Sequence, residues 1–245
     1  MSEYACRLVA AGMAILAAGC TVHVGDGRNG EVGGVERRTE VVERSRAAKA
    51  EMIRAEVTMG AGELQLSGGA KELLEADFAY NVPALKPEVR YDGSGFRGRL
   101  TVAESGKATI PMGEVKNRWN LKLGGDLPLD LVVRCGAGEN RLDLRELTLR
   151  SLEMHIGVGE VHVDLRNKPV KDYEARIEGG IGHAEVIVPT EVGVVAEASG
   201  GIGEINVHGM KREGNRWVND AYGTAKTTIR LTVKGGMGEI EIRAE

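Results

Sequence analysis

The chain is poor in aromatic residues, cysteine and proline, and it has no excess of basic residues. Aromatic side chains make up 4% of its 245 residues, and only two of them are Phe. This scarcity favours a thin interior filled by aliphatic side chains, because a bulky core usually relies on rings. The formal net charge of −4 disfavours a nucleic-acid partner. No run of about 20 apolar residues follows the N-terminus, which excludes an ordinary internal transmembrane helix.

Glycine is abundant, with 35 copies, and it recurs in a Gly-x-Gly element. The second glycines at positions 138, 159, 182 and 203 are 21, 23 and 21 residues apart. A fixed period of this size indicates a solenoid in which each repeat forms one coil. The six elements are Gly60-Ala61-Gly62, Gly136-Ala137-Gly138, Gly157-Val158-Gly159, Gly180-Ile181-Gly182, Gly201-Ile202-Gly203 and Gly236-Met237-Gly238.

Apolar and polar residues alternate on both sides of each element, as in Ile53/Ala55/Val57 and Val161/Val163/Leu165. Alternation with period two predicts strands with one buried face. Each repeat is therefore predicted to be a strand, a glycine corner and a second strand. The residue between the glycines is always apolar, so we expect it to point inward at the bend. The predicted fold is all-β, a β-solenoid of the parallel β-helix type with coils of about 21 residues.

The N-terminus has the form of a secretory signal peptide, predicted for residues 1–19. Arg7 precedes a short apolar run, and the run ends in small residues before Cys20. The segment Leu16–Cys20 resembles a bacterial lipobox, whose cysteine becomes lipidated; cleavage without lipidation is the alternative. We expect an extracytoplasmic protein anchored to a membrane of the cell envelope. Because Thr21 is not aspartate, an outer-membrane site is compatible with the sequence.

Two regions are predicted to follow the signal peptide of residues 1–19. Residues 20–37 are predicted to be the lipidated cysteine and a glycine-rich tether, and residues 38–245 a single β-solenoid domain. The domain is less regular over 38–128 and regular over 129–245. With Cys6 removed and Cys20 modified, Cys135 would be the remaining thiol, so we expect no intrachain disulfide.

The less regular part carries weaker local signals. Residues Glu40–Met52 are helical by propensity, and strand alternation begins at Ile53. Strands are predicted over Ala79–Tyr91 and Arg97–Val102, joined by a turn at Asp92–Gly95. The glycines at 93, 95 and 98 fit a dinucleotide-binding pattern. That pattern requires a following helix, and the residues after it continue as a strand, so we interpret it as a turn.

Several segments resemble the bacterial toast-rack domain family. The later Gly-x-Gly-Glu elements are similar to the C-terminal part of the cell-wall-active-antibiotics-response (LiaF-like) proteins. The resemblance covers about residues 40–245 and implies the solenoid fold. It also implies a link to envelope-stress signalling, although a lipobox-like segment here replaces the relatives' transmembrane helices. The segments that carry it are Met59–Leu64, Glu75–Asn81, Asn117–Leu121, Pro128–Leu131 and Gly136–Glu139.

The position after each glycine corner forms a column of mostly acidic residues. One interpretation is an acidic ladder that binds a divalent cation or a basic partner. We favour the other, in which the carboxylates accept hydrogen bonds from glycine amides. Two pairs between coils, His162 with Glu185 and Glu160 with His183, are interpreted as exposed ion pairs, and no metal site or cofactor is predicted. The ladder comprises Glu139, Glu160, His183, Glu204 and Glu239, with Glu63 as an outlying member.

Residues 209–227 interrupt the repeat with basic and aromatic residues. This loop is predicted either to form a partner surface or to cover the last coil. We also expect the strand Glu239–Arg243 to lie at an open end of the solenoid, where a second copy or an envelope protein could pair with it. The candidate partner residues are Lys211, Arg212, Arg216, Trp217 and Tyr222.

No residue pattern indicates a reaction. The chain has no zinc-protease motif, and Cys135 lies in an inward strand series. We expect a non-enzymatic, lipid-anchored cell-envelope protein that presents the solenoid for contact with a protein or the cell wall. The alternatives are a regulator of envelope-stress signalling and a polysaccharide-acting enzyme on a β-helix scaffold.

Overall fold

The structure, a computed structural model, describes residues 32–105 and 114–245. The predicted signal peptide, Cys20 and most of the predicted tether lie outside the described residues. The described part is all-β, as predicted, with two short 3-10 helices at Arg44–Ala47 and Pro83–Leu85. The strands are β1 (Glu36–Val42), β2 (Met52–Ser67), β3 (Leu74–Tyr80), β4 (Pro87–Asp92), β5 (Arg97–Glu104), β6 (Asn117–Leu123), β7 (Leu129–Asp143), β8 (Leu149–Asp164), β9 (Tyr173–Val188), β10 (Gly193–Ser199), β11 (Ile202–His208), β12 (Lys211–Glu213), β13 (Arg216–Val218), β14 (Thr228–Lys234) and β15 (Met237–Ala244).

The long strands β2, β7, β8 and β9 each run through a Gly-x-Gly element. We call the part before the element the first limb and the part after it the second limb. In the later repeats the two limbs are separate strands, β10 with β11 and β14 with β15. The second glycine of each element has a positive φ, such as 136° at Gly159, which side chains rarely tolerate. Glycine is therefore required at the corner.

The limbs stack in parallel with glycine beside glycine. Gly138 pairs with Gly62 and Gly159, and Gly182 pairs with Gly159 and Gly238. This register produces a solenoid-like stack with an open sheet.

The last repeat in the sequence is not the last in space. β14 pairs with both β9 and β10, and β15 pairs with both β9 and β11. The expectation that Glu239–Arg243 forms an open edge is therefore wrong. The long connection over residues 209–227 spans this step and allows the C-terminal repeat to insert. β11, and not β15, is the outermost strand of the second limbs at the end of the stack away from β2.

The core lies between the two limbs, and the connections between repeats close the third side. Inward rows such as Val133/Met154/Ile177 are buried, as are the connection residues Leu147 and Leu165. Aliphatic side chains and methionine fill these rows, as the composition indicates, although Phe78, Trp119 and Tyr173 are also buried in the core.

The residues between the glycines point outward, which corrects the inward orientation expected from the sequence. Buried positions on either side of the corner are five residues apart, as in Ile156 and Val161. Strict alternation would place buried residues an even number of positions apart, so this odd spacing means that the alternation shifts by one residue at the bend. The intervening Val158 then lies on the convex side and is 48% exposed.

The N-terminal region differs from its predicted local structure in two places. Most of Glu40–Met52 is not helical, because β1 extends to Val42 and β2 begins at Met52. Antiparallel pairing of β1 with β3 outweighs the helical propensity of this segment. The predicted strand Ala79–Tyr91 is interrupted by the 3-10 helix Pro83–Leu85. The hairpin of β4 and β5 through the turn at Asp92–Gly95 is confirmed.

Candidate interaction surface

The predicted column of charged residues is brought together on the outer face of the second limbs. Its order across the stack is Glu63, Glu139, Glu160, His183, Glu239 and Glu204. Because β15 is inserted, Glu239 lies between His183 and Glu204. The column therefore contains a basic side chain on one side of Glu239 and an acidic one on the other.

Three of these carboxylates, those of Glu63, Glu139 and Glu239, accept hydrogen bonds from side chains and not from glycine amides. Arg141 Nε donates to Glu139 Oε1 at 2.5 Å, and Asn206 Nδ2 donates to Glu239 Oε1 at 3.0 Å. Among the described residues, no glycine N–H donates to a carboxylate of the column. A cation or basic partner at Glu63, Glu139 or Glu239 would therefore compete with existing side-chain contacts.

One of the two predicted His–Glu pairs forms a close contact. His162 Nδ1 lies 2.8 Å from Glu185 Oε2. Glu160 and His183 are neighbours in register, but His183 Nδ1 lies 3.4 Å from Glu239 Oε2 instead. The insertion of β15 beside β9 provides this second partner.

The structure also reveals a cluster that the sequence analysis did not identify. Glu139, Glu160 and His162 offer ligand atoms that all lie within 4.8 Å of one another. His162 occupies the next outward position along β8, so the column alone does not include it. Arg141 already neutralises Glu139, and Glu160 is exposed. Glu185 contacts His162 from the neighbouring strand, and His162 Nε2 is a buried atom without a hydrogen-bond partner among the described residues.

The five candidate partner residues belong to, or lie close to, a hairpin formed by β12 and β13. β13 pairs antiparallel with β10, so the hairpin covers the end of the first-limb stack. Arg212 stacks over Trp217 and Arg216 over Tyr222, both at 5.5 Å, while Lys211 Nζ lies 2.7 Å from Asp220 Oδ1. The hairpin therefore covers the edge of β10, and Lys211, Arg212 and Arg216 already contact other side chains of this segment.

Asn219 holds this cover in place, and the sequence analysis missed it. Its Nδ2 donates to the carbonyl oxygens of Val192 and Pro189 at 2.7 and 3.0 Å. Its Oδ1 accepts a hydrogen bond from the Val194 N–H at 2.9 Å. A buried asparagine with every partner satisfied fixes the connection at the start of β10.

A row of exposed apolar side chains lies along the glycine corners. We call Val158, Ile181, Met237 and Ile202 the corner ridge. They are neighbours in register and are 48%, 47%, 46% and 73% exposed. The charged column runs beside the ridge, two positions further along each strand. The ridge could not be found from alternation alone, because alternation placed these residues inside.

Cys135 is buried at 4% exposure, beside Met59 in the neighbouring strand. Burial raises the pKa of the Cys135 thiol to about 12. The thiol is therefore protonated at neutral pH, and the residue packs as a small apolar side chain. Among the described residues, no helix has the length and hydropathy to cross a bilayer.

Two family models match the chain across the stacked limbs. The model for the N-terminal domain of toast_rack matches residues 31–187, more than half of the chain. The chain belongs to the toast-rack family. The model described as cell wall-active antibiotics response LiaF, C-terminal, matches residues 136–242. The toast-rack and LiaF-like resemblance predicted from the sequence is confirmed.

Solved structures that resemble this toast-rack chain include proteins described by adhesion. A candidate cell adhesion protein from Clostridium sporogenes is 29% identical with a TM-score of 0.82, covering 86% of this chain and all of its own. A candidate adhesin from Bacteroides fragilis is 10% identical with a TM-score of 0.33, covering 87% and 99% of the two chains, too slight a likeness to carry an argument. None of the curated proteins compared with the chain matches it.

Proposed function

We propose that this toast-rack protein is a non-enzymatic component of the bacterial cell envelope that binds another envelope protein. It is anchored by lipid at Cys20 and presents a β-solenoid outside the cytoplasm. The corner ridge is the contact surface, and the charged column beside it sets the orientation of the partner.

The corner ridge is the observation that carries this proposal. Monomeric soluble proteins rarely expose contiguous rows of large apolar side chains, and such rows mark contact sites. The ridge residues are also regularly spaced, because the second glycine of each element pairs with its counterpart in the neighbouring strand. An apolar row with charged residues at its side matches a protein partner better than a hydrated polymer.

The comparisons support an envelope location. The LiaF family model is described by a response to cell wall-active antibiotics, and the similar Clostridium sporogenes protein by cell adhesion. Both descriptions concern the cell surface. They agree with the signal-like run before Cys20.

A regulator of envelope-stress signalling is the second candidate function, favoured by the LiaF match over residues 136–242. A polysaccharide-acting enzyme is less well supported. Such enzymes use aromatic side chains to line a groove, whereas Phe78, Trp119 and Tyr173 are buried in the core. The half-buried Trp217 and Tyr222 stack against arginines.

The ridge can be tested with one variant and a matched control. Ile181→Lys places a charge on the ridge, and Val170→Lys places one at another exposed apolar residue, on the connection after β8. Crosslinking in intact cells followed by mass spectrometry identifies the captured proteins. We expect Ile181→Lys to lose an envelope protein that the parent and Val170→Lys both capture.

The same variants distinguish the alternatives. Equal capture by all three proteins contradicts a contact through the ridge. Binding of purified cell-wall sacculi that is unaffected by Ile181→Lys, together with no captured protein, supports a polymer ligand instead. Capture of a membrane sensor protein supports the signalling function.

A further inference from the structure

Four strands form the ends of the described sheet, and they differ in their protection against pairing with another chain. β1, β4, β11 and β12 each pair with one neighbour within the described residues. Natural proteins protect such edges with charged residues, proline or short length. β12 has three residues, all charged, and β4 begins at Pro87 and alternates with charges. β1 carries Glu36, Arg37, Arg38 and Glu40.

β11 lacks this protection. Its sequence is Ile-Gly-Glu-Ile-Asn-Val-His, and Glu204 is its one carboxylate. Ile205 is 37% exposed, although the residues at the same inward position, Val161 in β8 and Ile240 in β15, are buried. The core row therefore reaches solvent at the edge of β11. On the first limb, the corresponding edge of β10 is covered by β13.

We propose that β11 pairs antiparallel with β11 of a second copy of this chain, centred on Asn206. In this register Glu204 faces His208 of the partner subunit, and Ile205 faces the partner's Val207. Each pairing occurs twice, so an acidic group meets an imidazole and an apolar side chain meets an apolar one. Such pairs stabilise antiparallel sheets. The contact is the same on both copies and forms a closed dimer.

Other arrangements of the same strand are less complementary. Parallel pairing of two β11 strands in matching register would place Glu204 beside Glu204, which is repulsive. Antiparallel pairing centred on Ile205 would place Ile202 opposite a histidine and leave Glu204 without a basic neighbour. This inference does not rest on the proposed function. β11 contributes Ile202 to the corner ridge and Glu204 to the charged column, but the pairing uses the backbone edge of β11 and not the outward surface at Val158 and Ile181.

Cysteine crosslinking tests the register in the detergent-solubilised full chain. Asn206→Cys places two thiols opposite each other, and opposed residues in an antiparallel pair have Cα atoms about 4.5–5.5 Å apart, which suits a disulfide. Glu241→Cys is the matched control, because Glu241 occupies the same outward row one strand further inward. That step adds about 10 Å between the two copies. The parent chain, with its own cysteines, sets the background.

Under mild oxidation we expect a disulfide-linked dimer for Asn206→Cys and none above background for Glu241→Cys. Adding Ile205→Lys to Asn206→Cys places a charge on the edge and should abolish the dimer. Circular dichroism verifies that this variant remains folded; if it does not, the two cysteine variants decide alone. A monomeric Asn206→Cys, or equal crosslinking by both cysteine variants, overturns the proposal.

Discussion

Gly159 lies so close to Gly138 that the position of Gly159 has no room for a side chain. A Cβ on Gly159 would lie 1.9 Å from the carbonyl oxygen of Gly138, and the φ of Gly159 is 136°. We predict that Gly159→Ala lowers the free energy of unfolding by about 3 kcal/mol or more, from backbone strain and the clash together. Gly95 has no atom within 4 Å of such a Cβ. Gly95→Ala should therefore change stability little, and equal urea midpoints for both variants would contradict the corner geometry.

Alternation along β8 can be tested at two adjacent residues. Val163 is 2% exposed in the core, whereas His162 lies on the outer face and contacts Glu185. Val163→Asp buries a carboxylate without a partner and should cost about 3–5 kcal/mol. His162→Ala should cost less than about 1 kcal/mol, because it removes a partly exposed ion pair. Thermal unfolding of both variants measures the difference, and similar losses would refute the assigned faces.

Glu104 is predicted to make stability fall as the pH rises. Its carboxylate lies beside Gly60 and accepts a hydrogen bond from Asn117 Nδ2 at 3.0 Å, and burial raises the pKa of Glu104 above its usual value. A raised folded-state pKa contributes stability below the unfolded-state pKa, and this is lost as the pH rises through the folded value. The melting temperature of Glu104→Gln relative to the parent should therefore increase as the pH rises above about 4, the usual pKa of a glutamate.

Glu63 provides a control of opposite sign. Its hydrogen bond from Arg118 lowers the pKa of the Glu63 carboxyl, so this group stabilises the fold above its unfolded-state pKa. The melting temperature of Glu63→Gln should therefore decrease relative to that of the parent as the pH rises through the acidic range. If both variants follow the same trend, burial is not what distinguishes the two carboxylates.

Lipidation is predicted at Cys20, which lies outside the described residues. Cys20→Ala should remove the lipid and yield soluble or unprocessed protein, whereas Cys6→Ala should leave anchoring unchanged. Stable anchoring requires more than one acyl chain. Cys20 is the predicted site of lipid attachment, so its loss should release the protein from the membrane. Membrane fractionation and intact mass measure the outcome. Unchanged partition and mass for Cys20→Ala would disprove the anchor.

Local sequence patterns were enough to predict most of the strands, the glycine corners and the register between repeats. Each depends on short-range information. Alternation sets which residues of a strand share a face, and only glycine fits the positive φ and the backbone contact at positions such as Gly159 and Gly182. Because every repeat carries the same corner, aligning glycine with glycine also aligned Glu160 with His183 and His162 with Glu185.

The order of the repeats and the direction of the corner residues depend on the folded chain as a whole. β15 could lie at the end of the stack or inside it with the same local alternation, and its insertion beside β9 depends on contacts distant in sequence. Ile181 points outward because the bend shifts the alternation by one residue, a property of the folded corner. Residues Glu40–Val42 became strand because β3 offered backbone hydrogen bonds that an isolated helix could not match.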